Sequence, residues 1–186
     1  STGTDITIQG NNFGIGADGT TSFATGRSHF ALILFGTGYN APNLLIGGTG
    51  AGEGNIIANG VGSGTQVKSG AGAVPGAIDG NRVLTNRQAD VVNEDDTSQL
   101  AIYGNQIYDN GGLAIDLGTA GITANDSTDP DADPNDLLNF PAINTVSASG
   151  TAVSFDLELD VPANTNGYRI EFFKNSTADP SGHGEG

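Results

Sequence analysis

Apolar residues along this chain come in short pulses rather than helical stripes. Residues 99–118, QLAIYGNQIYDNGGLAIDLG, carry Leu100/Ile102, Ile107 and Leu113/Ile115/Leu117. Each pulse alternates with polar positions, and GN, DNGG and G follow the three in turn. A helix needs 3.6-residue periodicity sustained over ten or more positions; alternation over a few residues, bounded by Gly and Asn, reads as strand. The pattern predicts an all-β chain of very short strands.

The pulses repeat. IYGNQIYDN at 102–110 matches IDGNRVLTN at 78–86, and GEGNIIANG at 52–60 and IQGNNFGIG at 8–16 each match half of it. The glycine of the G-N pair falls at 10, 54, 80 and 104, with final steps of 26 and 24 residues. A further strand type recurs as ALILF (31–35), TQVKS (65–69), ADVVN (89–93) and LAIDL (113–117). Hairpins pair strands that are sequence neighbours across tight turns. Here like would pair with like one repeat later, which makes parallel ladders. The expected fold over residues 1–125 is a right-handed parallel β-helix, a solenoid with turns of about 24 residues stacked ~4.8 Å apart. Its inward columns are expected to be Ile8/Ile46/Ile78/Ile102, Phe13/Ile57/Val83/Ile107 and Leu34/Val67/Val91/Ile115. Asn11, Asn81 and Asn105, with Asn59, Asn86 and Asn110, fall at corners. Asn tolerates left-handed backbone there, and stacked amides can hydrogen-bond along the ladder. The Gly-rich stretch 60–76 breaks the repeat and is expected to carry an outward loop.

Beyond residue 118 the pattern changes. Residues 126–136, DSTDPDADPND, hold five Asp and two Pro and read as an acidic linker over 126–139. Residues 152–161 then alternate strictly, with Val153, Phe155, Leu157, Leu159 and Val161 on one face. That is the pattern of a half-buried antiparallel strand. YRIEFFK is expected to return with Tyr168, Ile170 and Phe172 inward, which makes 140–186 a β-sandwich segment, incomplete at about three strands.

Charge and composition restrict function. The net charge is −15, from 6 basic and 21 acidic residues. Nucleic-acid affinity rests on cations that neutralise phosphates, so nucleic acid is excluded as a partner. No apolar run approaches a membrane span, so membrane insertion is not expected. Cys, Met and Trp are absent, which removes disulfides, thiolate metal sites and cysteine nucleophiles. The N-terminal STGTDITIQG has no signal-peptide core; the expectation is that a signal has been removed or that the chain is a piece of a larger one.

IQGNNFGIGADGT, NLLIGGTGAGEGNIIANG, GNQIYDNGGLAIDLG, TANDSTDPDADPNDLLNFP and YRIEFFKNSTADPSGHGEG together resemble secreted or surface-anchored bacterial proteins with parallel β-helix repeats. The resemblance runs over nearly the whole chain. It implies the β-helix fold, a secreted or cell-surface location and a larger multidomain parent. It leaves function open, because β-helices serve as lyases, hydrolases, adhesins and stalks alike.

Candidate chemistry is sparse. GIGADG (Gly14, Gly16, Gly19) fits the dinucleotide fingerprint, but TTSFATGRS after it lacks the helical period that such a site needs. His29 and His183 lie far apart, with no carboxylate nominated to orient either imidazole. For a pectin-degrading type of β-helix the candidates are Asp79, Arg82, Arg87, Asp90, Glu94, Asp95, Asp96 and Asp109, with Tyr103 and Tyr108 as sugar platforms. The outward row Ile56/Arg82/Gln106 is no convergent set of carboxylates. The acidic run is the better site. Asp129, Asp131 and Asp133 alternate, followed by Asn135 and Asp136, and hard oxygens in that density suit Ca2+. An EF-hand is excluded by Pro134 and by the lack of a closing Glu.

These features give the expectation of a non-catalytic, structural or adhesive segment of a larger bacterial surface or secreted protein. Calcium would act as a structural clamp, and a polysaccharide or other cell-surface ligand would be the partner. The alternatives are a β-helix polysaccharide lyase or hydrolase, and a self-assembling extracellular fibre subunit whose chains associate end to end through unpaired strand edges. Ice binding would need a regular Thr array, whereas the outward row is Thr7/Leu45/Ala77/Ala101.

Overall fold

A computed structural model describes residues 6–23, 32–37, 44–62, 64–70, 76–84, 91–93, 100–164, 166–179 and 182–184. The described residues are all-β apart from one short turn at Pro134–Leu137. In chain order the strands are β1 (Ile6–Ile8), β2 (Asn12–Phe13), β3 (Leu32–Thr37), β4 (Leu44–Gly47), β5 (Ile56–Ala58), β6 (Thr65–Gly70) and β7 (Gly76–Asp79). There follow β8 (Arg82–Leu84), β9 (Val91–Asn93), β10 (Leu100–Tyr103), β11 (Gln106–Tyr108), β12 (Ile115–Leu117), β13 (Ala142–Ser149) and β14 (Ala152–Glu158).

The first twelve strands form three parallel sheets of four. Their orders are β1-β4-β7-β10, β2-β5-β8-β11 and β3-β6-β9-β12. The chain therefore visits the three sheets in turn, three strands to a round, and each round adds one strand to every sheet. Strands of two to six residues suffice because each is paired on the same ladder as its equivalents one round away. Ile8, Ile46, Ile78 and Ile102 share one register position. Phe13, Ile57, Val83 and Ile107 share another. Ile46, Ile57, Ile78 and Val83 are fully buried and, with Leu44, Leu100 and Ile107, make the core.

The third sheet is registered differently from expectation. Leu34 does pair with Val67, but Val67 pairs with Asn93, and Thr65 pairs with Val91, which pairs with Ile115. The column is thus Leu32/Thr65/Val91/Ile115. The slip is of two residues, which alternation alone cannot detect, and at the end of the column Ile115, expected to point inward, is 40% exposed while Asp116 is buried.

The corner between the first two sheets is a hydrogen-bonded ladder of asparagines. Asn11 Nδ2 donates to Asn55 Oδ1 (3.2 Å), Asn55 Nδ2 to Asn81 Oδ1 (2.9 Å) and Asn81 Nδ2 to Asn105 Oδ1 (3.0 Å). Each acceptor oxygen also takes the backbone N–H of the Asn one round earlier, at 3.0 Å. The amides of Asn55, Asn81 and Asn105 reach further to the carbonyls of Ile8, Ile46 and Ile78. Three of the four are almost fully buried, a position a polar side chain can hold only when its hydrogen bonds are made. The left-handed residue here is the preceding glycine (Gly10, Gly80, Gly104), not the Asn. Glycine is required at Gly80 on two counts: φ is +66°, and a Cβ would sit 2.2 Å from the Gly48 carbonyl oxygen.

At the next corner Asn59 does take left-handed backbone, and its amide donates to the Gly14 carbonyl. Asn110 lies one register position further on, where Asp109 is the left-handed residue, and its amide bonds to the Val83 and Tyr108 carbonyls. Asn86 lies outside the described residues, as do 71–75 of the irregular stretch. Gly14, Gly16 and Gly19 belong to a small turn closed by an Ile15–Ser22 bridge, with no helix after it among the described residues.

β13 and β14 form an antiparallel pair. A register shift between Ile143 and Thr145 brings Ile143 onto the same face as Val146, opposite Leu157 and Phe155. YRIEFFK is not a strand. It lays Phe172 on Phe155, with stacked rings 4.4 Å apart, and Tyr168, Phe172 and Phe173 stay exposed. Phe155 and Val153 are likewise exposed, so the strand expected to be half-buried presents its apolar face to solvent. No described helix is long and apolar enough to cross a membrane.

Candidate functional site

The acidic stretch is folded around Asn139, which is nearly fully buried. Its Oδ1 accepts the Asp126 N–H (3.0 Å), while its Nδ2 donates to the Asp126 and Asp160 carbonyls (2.8 and 2.7 Å). The Asn139 N–H in turn donates to Asp129 Oδ1 at 3.0 Å, so Asp129 is buried with its carboxylate engaged. Thr128 and Asp129 both take left-handed backbone, which doubles the chain back on itself. The result gathers carboxylate oxygens of Asp126, Asp129 and Asp131 within 4.8 Å of one another. Burial, and then the charges of Asp126, Asp129 and Asp133, push the Asp131 carboxyl above its ordinary pKa. Close carboxylates of this kind either share protons or take a cation. A Ca2+ held there would need further oxygens from backbone or water to reach six to eight.

The other predicted ligands are placed elsewhere. Asp133 precedes the Pro134–Leu137 turn and its carbonyl accepts the Asp136 N–H at 2.7 Å. Asn135, Asp136 and Leu137 all have positive φ. The Asn135 side chain is turned to β10: its Oδ1 accepts the Leu100 N–H (2.7 Å) and its Nδ2 donates to the Leu100 carbonyl (2.8 Å). A side-chain amide thereby copies the pairing that another strand would make with the last strand of the first sheet. Asp126 and Asn139 are the members that the alternating-Asp signal missed, since Asp126 is out of phase with Asp129 and Asp131, and Asn139 lies beyond the run.

The enzyme candidates separate into two groups. His29, Arg87, Asp90, Glu94, Asp95 and Asp96 lie outside the described residues. Of those described, Asp109 is an exposed corner residue and Arg82 donates to the Tyr108 hydroxyl at 2.6 Å. His183 packs edge-on against Phe140, with ring centroids 5.7 Å apart. Near Arg82 a groove of about 570 Å3 runs along the Gly48–Gly54 turn and past Gly80, Tyr103 and Arg169. Arg169 pairs with Glu171 Oε1 (2.6 Å) and lies 4.8 Å from the Tyr103 ring centroid. The Gly104 N–H donates to Glu171 Oε2 at 2.9 Å.

No protein-family model, curated protein or solved structure matches this chain.

Proposed function

We propose that the three parallel sheets are the faces of a right-handed parallel β-helix, and that the chain is a non-catalytic structural or adhesive segment of a larger secreted or surface protein of bacterial type. The observation that carries this reading is the asparagine ladder. Four rounds of chain are tied at one corner by side-chain and backbone hydrogen bonds in the same register. That is the construction of an extended scaffold, in which stability comes from contact between neighbouring repeats. The acidic stretch serves as a structural Ca2+ clamp beside the last repeat, with Asp126, Asp129 and Asp131 as the ligand set. The partner is a polysaccharide or similar cell-surface ligand held on an outer face. End-to-end fibre assembly is the weaker reading, because Asn135 already occupies the Leu100 peptide on the edge strand β10.

The test is to incubate the chain with acidic and neutral polysaccharides, with and without Ca2+. Retention without release of shortened chains is expected. Turnover that disappears in Asp79→Ala or Arg82→Ala would overturn the non-catalytic reading in favour of a lyase or hydrolase.

A further inference from the structure

The chain carries 6 basic residues against 21 acidic ones, yet two of its arginines, Arg82 and Arg169, line a single groove. Both are held in place before any ligand arrives. Arg82 is fixed by the Tyr108 hydroxyl at 2.6 Å, a neutral partner that leaves its charge uncompensated at that contact. Arg169 is fixed by Glu171 and by the face of Tyr103, and Glu171 is itself anchored on the Gly104 N–H. A planar guanidinium held in this way can offer a carboxylate two parallel N–H bonds, with less ordering entropy left to lose on binding.

The rest of the lining fits a sugar better than a small inorganic anion. Gly48, Gly50, Gly52, Gly54, Gly80 and Gly104 all border the groove. At Gly52 the space a side chain would fill is open, which leaves room for a sugar ring beside that turn, while the Gly50 and Gly104 N–H groups are already bonded to Glu53 and Glu171. Ile56 and Tyr103 add apolar surface for a ring face. The volume of about 570 Å3 lies within the ~300–1,000 Å3 usual for small-ligand sites.

We infer that this groove binds a carboxylated sugar, a uronate unit of an acidic polysaccharide, with Arg82 receiving the carboxylate and Arg169 closing the far side. The inference rests on the adhesive reading and names its ligand class. Because the whole chain is strongly negative, recognition is local and gains nothing from long-range steering.

The experiment is titration of the intact chain with an oligouronate and with the same oligomer as its methyl ester, followed by calorimetry and by the amide shifts of Gly50, Gly54 and Gly104. Saturable binding of the acid form is expected, at least tenfold weaker for the ester. Arg82→Gln should weaken it at least tenfold, and Tyr108→Phe, which keeps the charge but frees the guanidinium, by less. Hydrogen-exchange protection of the core strands confirms that each variant is folded. Equal binding of acid and ester, or binding by Arg82→Gln as tight as that of the unsubstituted chain, overturns the inference and leaves the scaffold reading standing. Absence of oligouronate binding also overturns it, as does self-association abolished by Arg82→Gln, which would assign the groove to the acidic stretch of a second copy. Shortened product released by the intact chain supports uronate recognition and overturns the non-catalytic reading.

Discussion

Asn81→Ala removes a buried side chain from the middle of the asparagine ladder. Asn81 Oδ1 accepts two bonds, from the Asn55 N–H (3.0 Å) and Asn55 Nδ2 (2.9 Å), and Nδ2 donates two, to Ile46 O and Asn105 Oδ1 (3.0 Å each). Asn81 and Asn55 are each only 1% exposed. Alanine deletes the four bonds and leaves the Asn55 N–H buried without its acceptor. A net ~1 kcal/mol per bond, with ~1–3 kcal/mol for an orphaned buried donor, gives a cost of about 3–5 kcal/mol once the partners' remaining bonds are allowed for. That is a large part of a domain's ~5–15 kcal/mol. Asn11→Ala is the control. Asn11 is exposed and, among the described residues, its amide bonds only to Asn55 Oδ1 and the Gln9 carbonyl, so its loss should cost about 0.5–1 kcal/mol. Urea denaturation of both variants gives the difference, and amide exchange at Asn55 locates it. Equal destabilisation by the two substitutions, or an Asn55 amide still protected in Asn81→Ala, would refute the claim that the ladder holds the corner.

Three further outcomes are expected. Asp18 accepts from the Thr20 and Thr21 N–H groups and, at 2.5 Å, from the Thr21 hydroxyl. The Thr21 bonds above all lower its pKa from 3.8 to about 2. A depressed folded-state pKa contributes stability that is present above the ordinary value and lost as pH falls through about 2. A carboxyl titration by NMR should therefore have its midpoint near 2 and carry the Thr20 and Thr21 amides with it; a midpoint near 4 contradicts the turn geometry. Asn135→Gly keeps the left-handed turn accessible but removes the amide from the Leu100 peptide, so the Leu100 N–H should exchange at least tenfold faster; unchanged exchange would mean that Asn135 caps nothing. Ca2+ at a hundredfold excess over its dissociation constant should stabilise the fold by about 2.7 kcal/mol. The effect should vanish in EDTA and in Asp129→Asn, and a melt that ignores both Ca2+ and EDTA removes the clamp.

How far the sequence could be read depended on what each signal constrains. Recurring Gly-Asn pairs placed the corner, and the apolar columns set the first two sheets, because a one-residue slip there would expose the core. The third sheet gave no such warning, since a two-residue slip is silent in an alternating pattern. Asn55 joins the ladder as the G-N pair at Gly54 implies, although it is not among the expected corner asparagines. Asn59 and Asn110 looked equivalent, yet Asp109 takes the left-handed position that Asn59 fills. YRIEFFK alternates as a strand does, but alternation states only that two faces differ, and here one side stacks Phe172 on Phe155 while Arg169 and Glu171 reach Tyr103 and the Gly104 N–H. The acidic run showed its charge but not its fold. The feature that gathers Asp126, Asp129 and Asp131 is Asn139, a residue of no distinctive type whose role appears only once its side-chain bonds are known.

The central claim is the parallel order and register of the sheets, and the chain's lack of cysteine makes it directly testable. Leu45, Ala77 and Ala101 share one register position on β4, β7 and β10. Neighbouring strands lie ~4.8 Å apart, within the ~4.4–6.8 Å that a disulfide spans, whereas strands two apart lie at about twice that distance. Cysteine pairs at Leu45/Ala77 and at Ala77/Ala101 should therefore oxidise readily in the folded chain, and the pair at Leu45/Ala101 should not. A Leu45/Ala101 pair that cross-links as fast as the other two, or an Ala77/Ala101 pair that fails to cross-link at all, would contradict the account.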